Sequence, residues 1–455
     1  MNRLAVSPEE FRRLASRAVD VTTRYLERLR ELPSFPSTTH EDVRAAFDRP
    51  LPERGLGAAA LDDIESVLMQ SRPCGPRFFG YVLGSGEPVA AVADLVTSVL
   101  NQNVTAWRSG PAAVTIERTV VRWLAEALGC KGFAGSFTGG GSMANLMALA
   151  MARGSHPAGT LYASAEAHMS IPKAAALLGL GYDAVRTVAV DDAFRMVPEA
   201  LDRAIRDDLA AGKQPLAVIA TAGTVSTGSI DPLDALADVA KAHGVWFHVD
   251  GAYGALAALA IPESFRGLDR ADSISIDPHK WLYQPLDCGC LLYRDPARAR
   301  ATFSHTGDYA KSLESDPDES FAFFEESLEL SRRFRALKVW LSLRYHGVGA
   351  FREAVRGDLA LAQRLASRID AEVALERLAP VALSAVCFRY KGSDDLNRRI
   401  LQRVIRRGRV YISNATIGGR FALRACIVNH RSGPEDVDAV VSETLAAAAG
   451  VEKGA

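Results

Sequence analysis

The chain contains no run of about eighteen apolar residues, the length a helix needs to cross a bilayer. Its most apolar stretch, Val89–Leu100, is interrupted by Asp94 and reads as a buried helix. The start, MNRLAVSPEEFRRLASRAVD, lacks the apolar core of a secretory signal. An excess of one charge is missing too: 53 basic against 54 acidic residues leave a formal charge of -1, and no basic run offers an electrostatic grip on nucleic acid. Cysteine is sparse, with six residues, of which only Cys288 and Cys290 lie close together. Their C-G-C spacing in an apolar run puts both on one face of a strand rather than in a zinc knuckle, so buried reduced thiols and no metal site are expected. These absences describe a cytoplasmic globular protein with neither membrane nor nucleic acid as partner. At 455 residues it is too long for a single core.

The first segment is helical. Ser7-Pro8-Glu9-Glu10 is a cap followed by proline and acids, and Phe11, Leu14, Ala18, Val21, Tyr25 and Leu29 recur at helical spacing until Pro33 and Pro36 end the pattern. A second helix is expected over Ala58–Gln70. Residues 1–86 thus read as an N-terminal helical segment without a core of its own, packed on another subunit or on the main domain. In residues 87–345, helical patterns such as Leu233–His243 alternate with short apolar runs at Thr160–Ser164, Arg186–Val190, Ala217–Thr221, Trp246–Val249, Ser273–Ile276 and Gly289–Tyr293. That alternation implies an α/β domain built on a large, mainly parallel sheet, with ligands outside the carboxyl ends of its strands. Residues 303–327 are polar and acidic with embedded aromatics, a surface loop or a lid. A helix resumes at Arg332 and runs to Tyr345. Residues 346–455 mix helices (Phe351–Ile369, Pro434–Ala448) with strands (Ala385–Tyr390, Arg420–Ile427) and read as a small C-terminal α+β domain.

The strongest chemical signal is Ser273-Ile-Ser-Ile-Asp277-Pro-His279-Lys280-Trp281. A lysine at a strand end beside an apolar wall can have its pKa lowered by burial and serve as an amine nucleophile. By itself it also fits a solvated strand end. In His248-Val-Asp250-Gly-Ala252-Tyr253, Asp250 ends another strand and should share the sheet edge of Lys280. A carboxylate there keeps a pyridine nitrogen protonated, although alone it also fits a helix N-cap. Thr138-Gly139-Gly140-Gly141-Ser142-Met-Ala-Asn145 opens a helix, where glycines, free backbone N–H groups and the Ser142 hydroxyl make a phosphate cup. The same residues approximate the G-x-S-x-G of a hydrolase elbow, but the last glycine is missing. His168, just past a strand, is placed either to stack on a cofactor ring and supply a proton or to serve structure alone. Ala222–Gly228 is a small-residue loop in which Thr224 is a candidate hydrogen-bond donor.

Taken in order, Asp277–Trp281, His248–Tyr253, the glycine cup and Ala165-Glu-Ala-His168 resemble the group II pyridoxal-phosphate (PLP) dependent amino-acid decarboxylases, most closely the aromatic-L-amino-acid branch. The similarity spans nearly the whole chain, from Pro76-Arg-Phe78-Phe79-Gly-Tyr81 to Phe421-Ala-Leu-Arg424. It implies PLP fold type I, like aspartate aminotransferase, in a homodimer with its sites at the interface and its N-terminal helices exchanged. It assigns Lys280 the Schiff base, Asp250 the pyridinium nitrogen and His168 the ring stack. Gly140, Gly141, Ser142 and His279 match positions near the phosphate, as does Asp277, where some relatives carry Asn. Ala252 would pack on the ring and Thr224 lie near its substituents, with Tyr81, Val82 and Trp107 near the substrate. The implied reaction is decarboxylation of an L-amino acid to its amine, and the aromatics Phe78, Phe79, Tyr81 and Trp107 favour an aromatic one.

One position departs from the family pattern. The usual proton donor is a loop tyrosine, and counting back from Arg332-Arg333-Phe334-Arg335 puts Phe323 there, with Tyr309 earlier in the loop as a possible substitute. In the family, phenylalanine at that position goes with decarboxylation coupled to oxidative deamination, which yields an aldehyde, ammonia and peroxide. An aminotransferase of the same fold shares the Lys/Asp pair, although Pro-His-Lys-Trp favours decarboxylation. A binding or scaffold protein is disfavoured by the joint presence of Lys280, Asp250 and His168.

Overall fold

In the computed structural model, which describes residues 4–305 and 316–452, seven strands form one sheet. They are β1 (Ala134–Thr138), β2 (Thr160–Ser164), β3 (Val185–Val188), β4 (Pro215–Thr221), β5 (Trp246–Asp250), β6 (Ser273–Ile276) and β7 (Gly289–Tyr293), in the order β1-β7-β6-β5-β4-β2-β3. From β3 to β6 all neighbours are parallel, whereas β7 runs antiparallel to both β6 and β1. β2, β4, β6 and β7 are buried along their whole length, as expected of a sheet covered on both faces. The parallel register brings the carboxyl ends of β2, β4, β5 and β6 to one edge and sets Asp250 opposite Ser275. β1 escapes prediction because it carries Gly135 and Ser136 in place of a branched apolar run. The glycine is required there, since a Cβ on Gly135 would lie 2.4 Å from the Leu291 carbonyl oxygen.

A second sheet, β8 (Leu375–Arg377), β9 (Ala385–Tyr390), β10 (Ser413–Ile417) and β11 (Arg420–Cys426), is wholly antiparallel in the order β10-β11-β9-β8. Helices Asp394–Arg407 and Pro434–Glu452 contribute to its core through Ile400, Val404, Val437 and Val441. The two helices expected on either side of residue 346 form one span, Ala336–Asp370, bent at Gly347 (φ 74°). The first helix is Pro8–Arg28, with the Ser7 hydroxyl capping Glu10 N–H at 3.1 Å; none of its residues is buried. The helix expected at Ala58–Gln70 divides into a 3-10 turn, Gly57–Asp62, and an α-helix, Asp63–Gln70. Among the described residues no helix is long and apolar enough to cross a membrane. All six cysteines are free and five are buried.

The segment 79–84 joins the second sheet to the turn that carries Lys280. The strand-like segment around Phe79 donates its N–H to the Tyr411 carbonyl (2.8 Å) and accepts from Cys426 N–H (2.8 Å), and Gly84 N–H then reaches the His279 carbonyl (3.0 Å). Nearby, the Tyr283 hydroxyl (2.9 Å) and the Asn429 N–H (3.0 Å) both donate to Asp358 of the long helix. Burial pushes the Asp358 carboxyl up to about 8. The folded protein therefore keeps a proton that the unfolded chain releases at about pH 4, so stability must fall as pH rises between those values. Urea unfolding of wild type and Asp358→Asn from about pH 4 to pH 8 should show wild type losing stability relative to the variant. Parallel curves would mean that the carboxyl is ionised in the fold.

Candidate active site

Beyond Ile276 at the end of β6, Asp277 precedes a single helical turn, Pro278–Trp281, started by proline. That turn aims Lys280 into a cavity of about 490 Å³, and its Nζ lies 2.9 Å from Asp277 Oδ2. His279 Nδ1 donates to the Cys288 carbonyl at 2.7 Å, and burial lowers the ring's pKa, so the imidazole is neutral and its Nε2 carries no proton. The thiol of Cys288 is itself pushed upward by burial and is inert.

Asp250, at the end of β5, is 5% exposed and accepts three hydrogen bonds: Asn145 Nδ2 at 2.9 Å, Ser275 Oγ at 3.0 Å and Ala252 N–H at 3.2 Å. Three donors on a buried carboxylate hold it as an anion. Asn145 extends the network on both sides. Its second N–H reaches Ser170 Oγ (2.9 Å), and its carbonyl oxygen takes the Nε2 proton of His248 (2.9 Å). Burial drives His248 down to about 4, so that ring is neutral, and its Nδ1 lies 2.9 Å from Ser273 Oγ and 3.1 Å from the Ser273 carbonyl oxygen. The other arm ends at His168. There Ser170 donates to Nδ1 from both its N–H (3.2 Å) and its hydroxyl (2.8 Å), which leaves the ring's proton on Nε2. Burial, its largest perturbation, lowers the pKa of His168.

The cup is made of backbone. No side chain caps the helix Gly141–Arg153, so its first N–H groups are unsatisfied from within. Gly140 has φ +141°, and a Cβ on Gly141 would lie 2.6 Å from that of Ala252. A Cβ on Gly289 of β7 would lie 2.4 Å from the Gly140 Cα, so β7 supports the cup from below. For PLP the residues fit: an amine, an anchored carboxylate and a capless helix start border one cavity large enough for a ring with its phosphate.

Nine of the ten residues expected around the cofactor line this cavity; Thr224 does not. Its hydroxyl is bound to Thr227 Oγ1 (2.7 Å) and to Ser229 N–H (3.1 Å), and its neighbours Gly223 and Val225 form the wall instead. Tyr81, Val82 and Trp107 also lie outside the cavity. Tyr81, with φ +61°, joins a cluster with Phe78 and Tyr411 under the Arg72 guanidinium, whereas Val82 and Trp107 pack on the main core. Phe323 is fully buried elsewhere. Arg332 lies 4.1 Å over its ring and pairs with the buried Glu117, while Phe321 meets it edge-on. Residue arithmetic along the loop could not foresee that packing. Tyr309 lies outside the described residues.

Two residues were missed. Asn145 was read only as the end of the glycine motif; its place one helical turn after Gly141, facing β5, was the available signal. Arg424 is 3% exposed and makes no ion pair among the described residues. Its Nε donates to the Ser226 carbonyl (3.1 Å), next to the cavity wall, and one terminal nitrogen has no partner. A buried cation without an acid calls for an anion.

The model of the pyridoxal-dependent decarboxylase conserved domain matches residues 41–391. The aromatic-L-amino-acid decarboxylase of Bacillus atrophaeus is 35% identical over 453 residues, covering 95% of this chain and 94% of its own. Among solved structures, Oryza sativa TDC with PLP and tryptamine aligns with a TM-score of 0.92 at 27% identity over 99% of both chains. Rhodiola rosea 4-hydroxyphenylacetaldehyde synthase aligns at 0.88 and 27%, over 98% of this chain and 99% of its own. The buried network yields a prediction of its own. Replacing Asn145 with Leu removes a donor from Asp250 and another from Ser170, and should weaken PLP binding by about tenfold or more with an unchanged far-UV spectrum. Titration followed by cofactor absorbance measures it, and an unaltered dissociation constant would count against the network.

Proposed function

The chain belongs to the pyridoxal-dependent decarboxylases, and we propose that its substrate within that family is an aromatic L-amino acid, released as the amine. The fold is that of PLP fold type I and the protein is a PLP-dependent amino-acid decarboxylase. The observation that carries the site reading is the meeting of Lys280 and Asp250, from the ends of adjacent strands, in one cavity with the glycine cup. PLP, when bound, supplies an electron sink for the bond that breaks. The roles of the chain's own residues follow from their chemistry. The Lys280 amine tethers the cofactor. Asp250, kept anionic by its three donors, holds a proton on the ring nitrogen. The cup and Ser142 receive the phosphate, and Ala252 and the neutral His168 flank the ring. Arg424, a buried cation without a carboxylate of its own, orients the carboxylate of the incoming amino acid.

The aromatic side chain is supported by the 35% identity to the Bacillus atrophaeus aromatic-L-amino-acid decarboxylase. The amine, rather than an aldehyde, is supported by the tryptophan and tyrosine decarboxylases among the relatives and by the burial of Phe323 on Arg332, away from the cavity. Family membership favours decarboxylation over amino-group transfer. A second copy of the chain is the partner we infer. Phe11, Val19 and Leu26 of the first helix and Val92, Leu95, Val96 and Val99 of the helix Pro88–Leu100 are exposed, apolar surface that a second copy would cover. Free thiols at all six cysteines agree with a cytoplasmic setting.

Purified protein offered a panel of aromatic L-amino acids should release one amine per CO₂ in air with no peroxide; peroxide and ammonia in proportion to CO₂ would reinstate the oxidative reading. Lys280→Ala should lose both turnover and the covalent label left by borohydride with PLP. Light scattering on the eluting protein should give twice the chain mass, and a monomer would refute the paired arrangement.

A further inference from the structure

We propose that the carboxyl group of Asp277 shares a proton with the phosphate of the bound cofactor, so that PLP binding takes up one proton that an amide at this position would not need. This rests on the reading of the cup as the phosphate site. Asp277 stands at the start of the turn Pro278–Trp281, yet its side chain caps nothing. It is 3% exposed, and while Oδ2 faces Lys280 Nζ at 2.9 Å, Oδ1 is buried without any partner. The carboxyl borders the cup directly: a Cβ on Gly141 would lie 3.0 Å from Asp277 Oδ2. A carboxylate therefore stands where the uncapped N–H groups of a thirteen-residue helix await an anion.

The groups around it do not resolve the conflict. From its own turn, Lys280 is the one cation in contact, and its amine is committed once it is joined to the cofactor. His279 Nε2 is 3.5 Å away but bears no proton, since its Nδ1–H is held by the Cys288 carbonyl. Just before β7 lies the thiol of Cys288, kept protonated by burial, and past the end of β2 the neutral His168. From β5 comes Asp250, a second anion of the same cavity. At the rim by Gly139, Arg335 is bound to Asp287 (2.9 Å) and Glu329 (2.8 Å). A carboxylate and a phosphate dianion in contact repel, and the orphaned Oδ1 lacks a hydrogen bond. One proton from solvent on the carboxyl ends the repulsion: an O–H···O bond joins Oδ2, the oxygen beside the cup, to a phosphate oxygen, and no other bond is made or broken. An amide would donate its own N–H.

The test compares dissociation constants across pH. Above neutrality, the constant of wild type for PLP should climb with pH by about tenfold per unit more steeply than that of Asp277→Asn. With pyridoxal, which has no phosphate, the two proteins should follow one another. Parallel PLP curves, or weaker binding by the variant at every pH, would overturn the inference. Should the variant not fold, wild type alone decides the matter. Calorimetry in buffers of different ionisation enthalpy should count one more proton taken up with PLP than with pyridoxal, and equal uptake refutes the shared proton. If PLP leaves no reducible label on Lys280 of wild type, the reading of the site falls, and this inference with it.

Discussion

The site depends on keeping one carboxylate charged inside the protein. Burying an ion is costly unless hydrogen bonds replace its water. Asp250 meets that condition with donors from three separate elements: the Asn145 amide from the helix after the cup, the Ser275 hydroxyl from β6, and the backbone of Ala252 just beyond β5. The parallel register of β5 and β6 puts Ser275 opposite Asp250, so the sheet pairing itself supplies a donor. The same pairing carries the chain two residues further to Asp277 and then to Lys280. Lys280 and Asp250 are thus spaced by strand geometry, not by a flexible loop.

Asn145 makes this constraint collective. One amide binds Asp250, orients the hydroxyl that selects the tautomer of His168, and accepts a hydrogen bond from a neutral His248. His168 and Asp250 are therefore coupled through direct hydrogen bonds. Neutral histidines on both arms add no positive charge to the surroundings of Asp250.

Much of this was legible in the amino-acid order because it is local. The apolar runs of β2, β6 and β7 match their strands end for end, and the Ser7 cap, the glycine cup and the lysine turn are contiguous motifs. What was not legible depends on long-range packing. β1 looks like a glycine-serine linker until it lies against β7. Thr224 reads as a donor to a ligand, but its hydroxyl finds partners within its own loop. Phe323 reads as a replacement for a loop residue near the chemistry, yet its ring is held under Arg332, whose ion pair with Glu117 ties it to a helix some two hundred residues earlier. Arg424 went unremarked because an unpaired cation is visible only once its surroundings are known.

The backbone around Phe79 and Gly84 bears on how the chain is divided. Phe79 exchanges hydrogen bonds with Tyr411 and Cys426 of the smaller half, and Gly84 is bonded to the carbonyl of His279. A Cβ on Gly84 would meet the His279 and Lys280 carbonyl oxygens at 2.5 and 2.6 Å, so the segment lies in van der Waals contact with the backbone of the lysine turn. A cut near residue 86 would not free a self-sufficient catalytic body from a dispensable leader. It would sever a strap that closes the lysine turn from below and fastens it to the second sheet, and the remainder would begin with an exposed, unsupported floor.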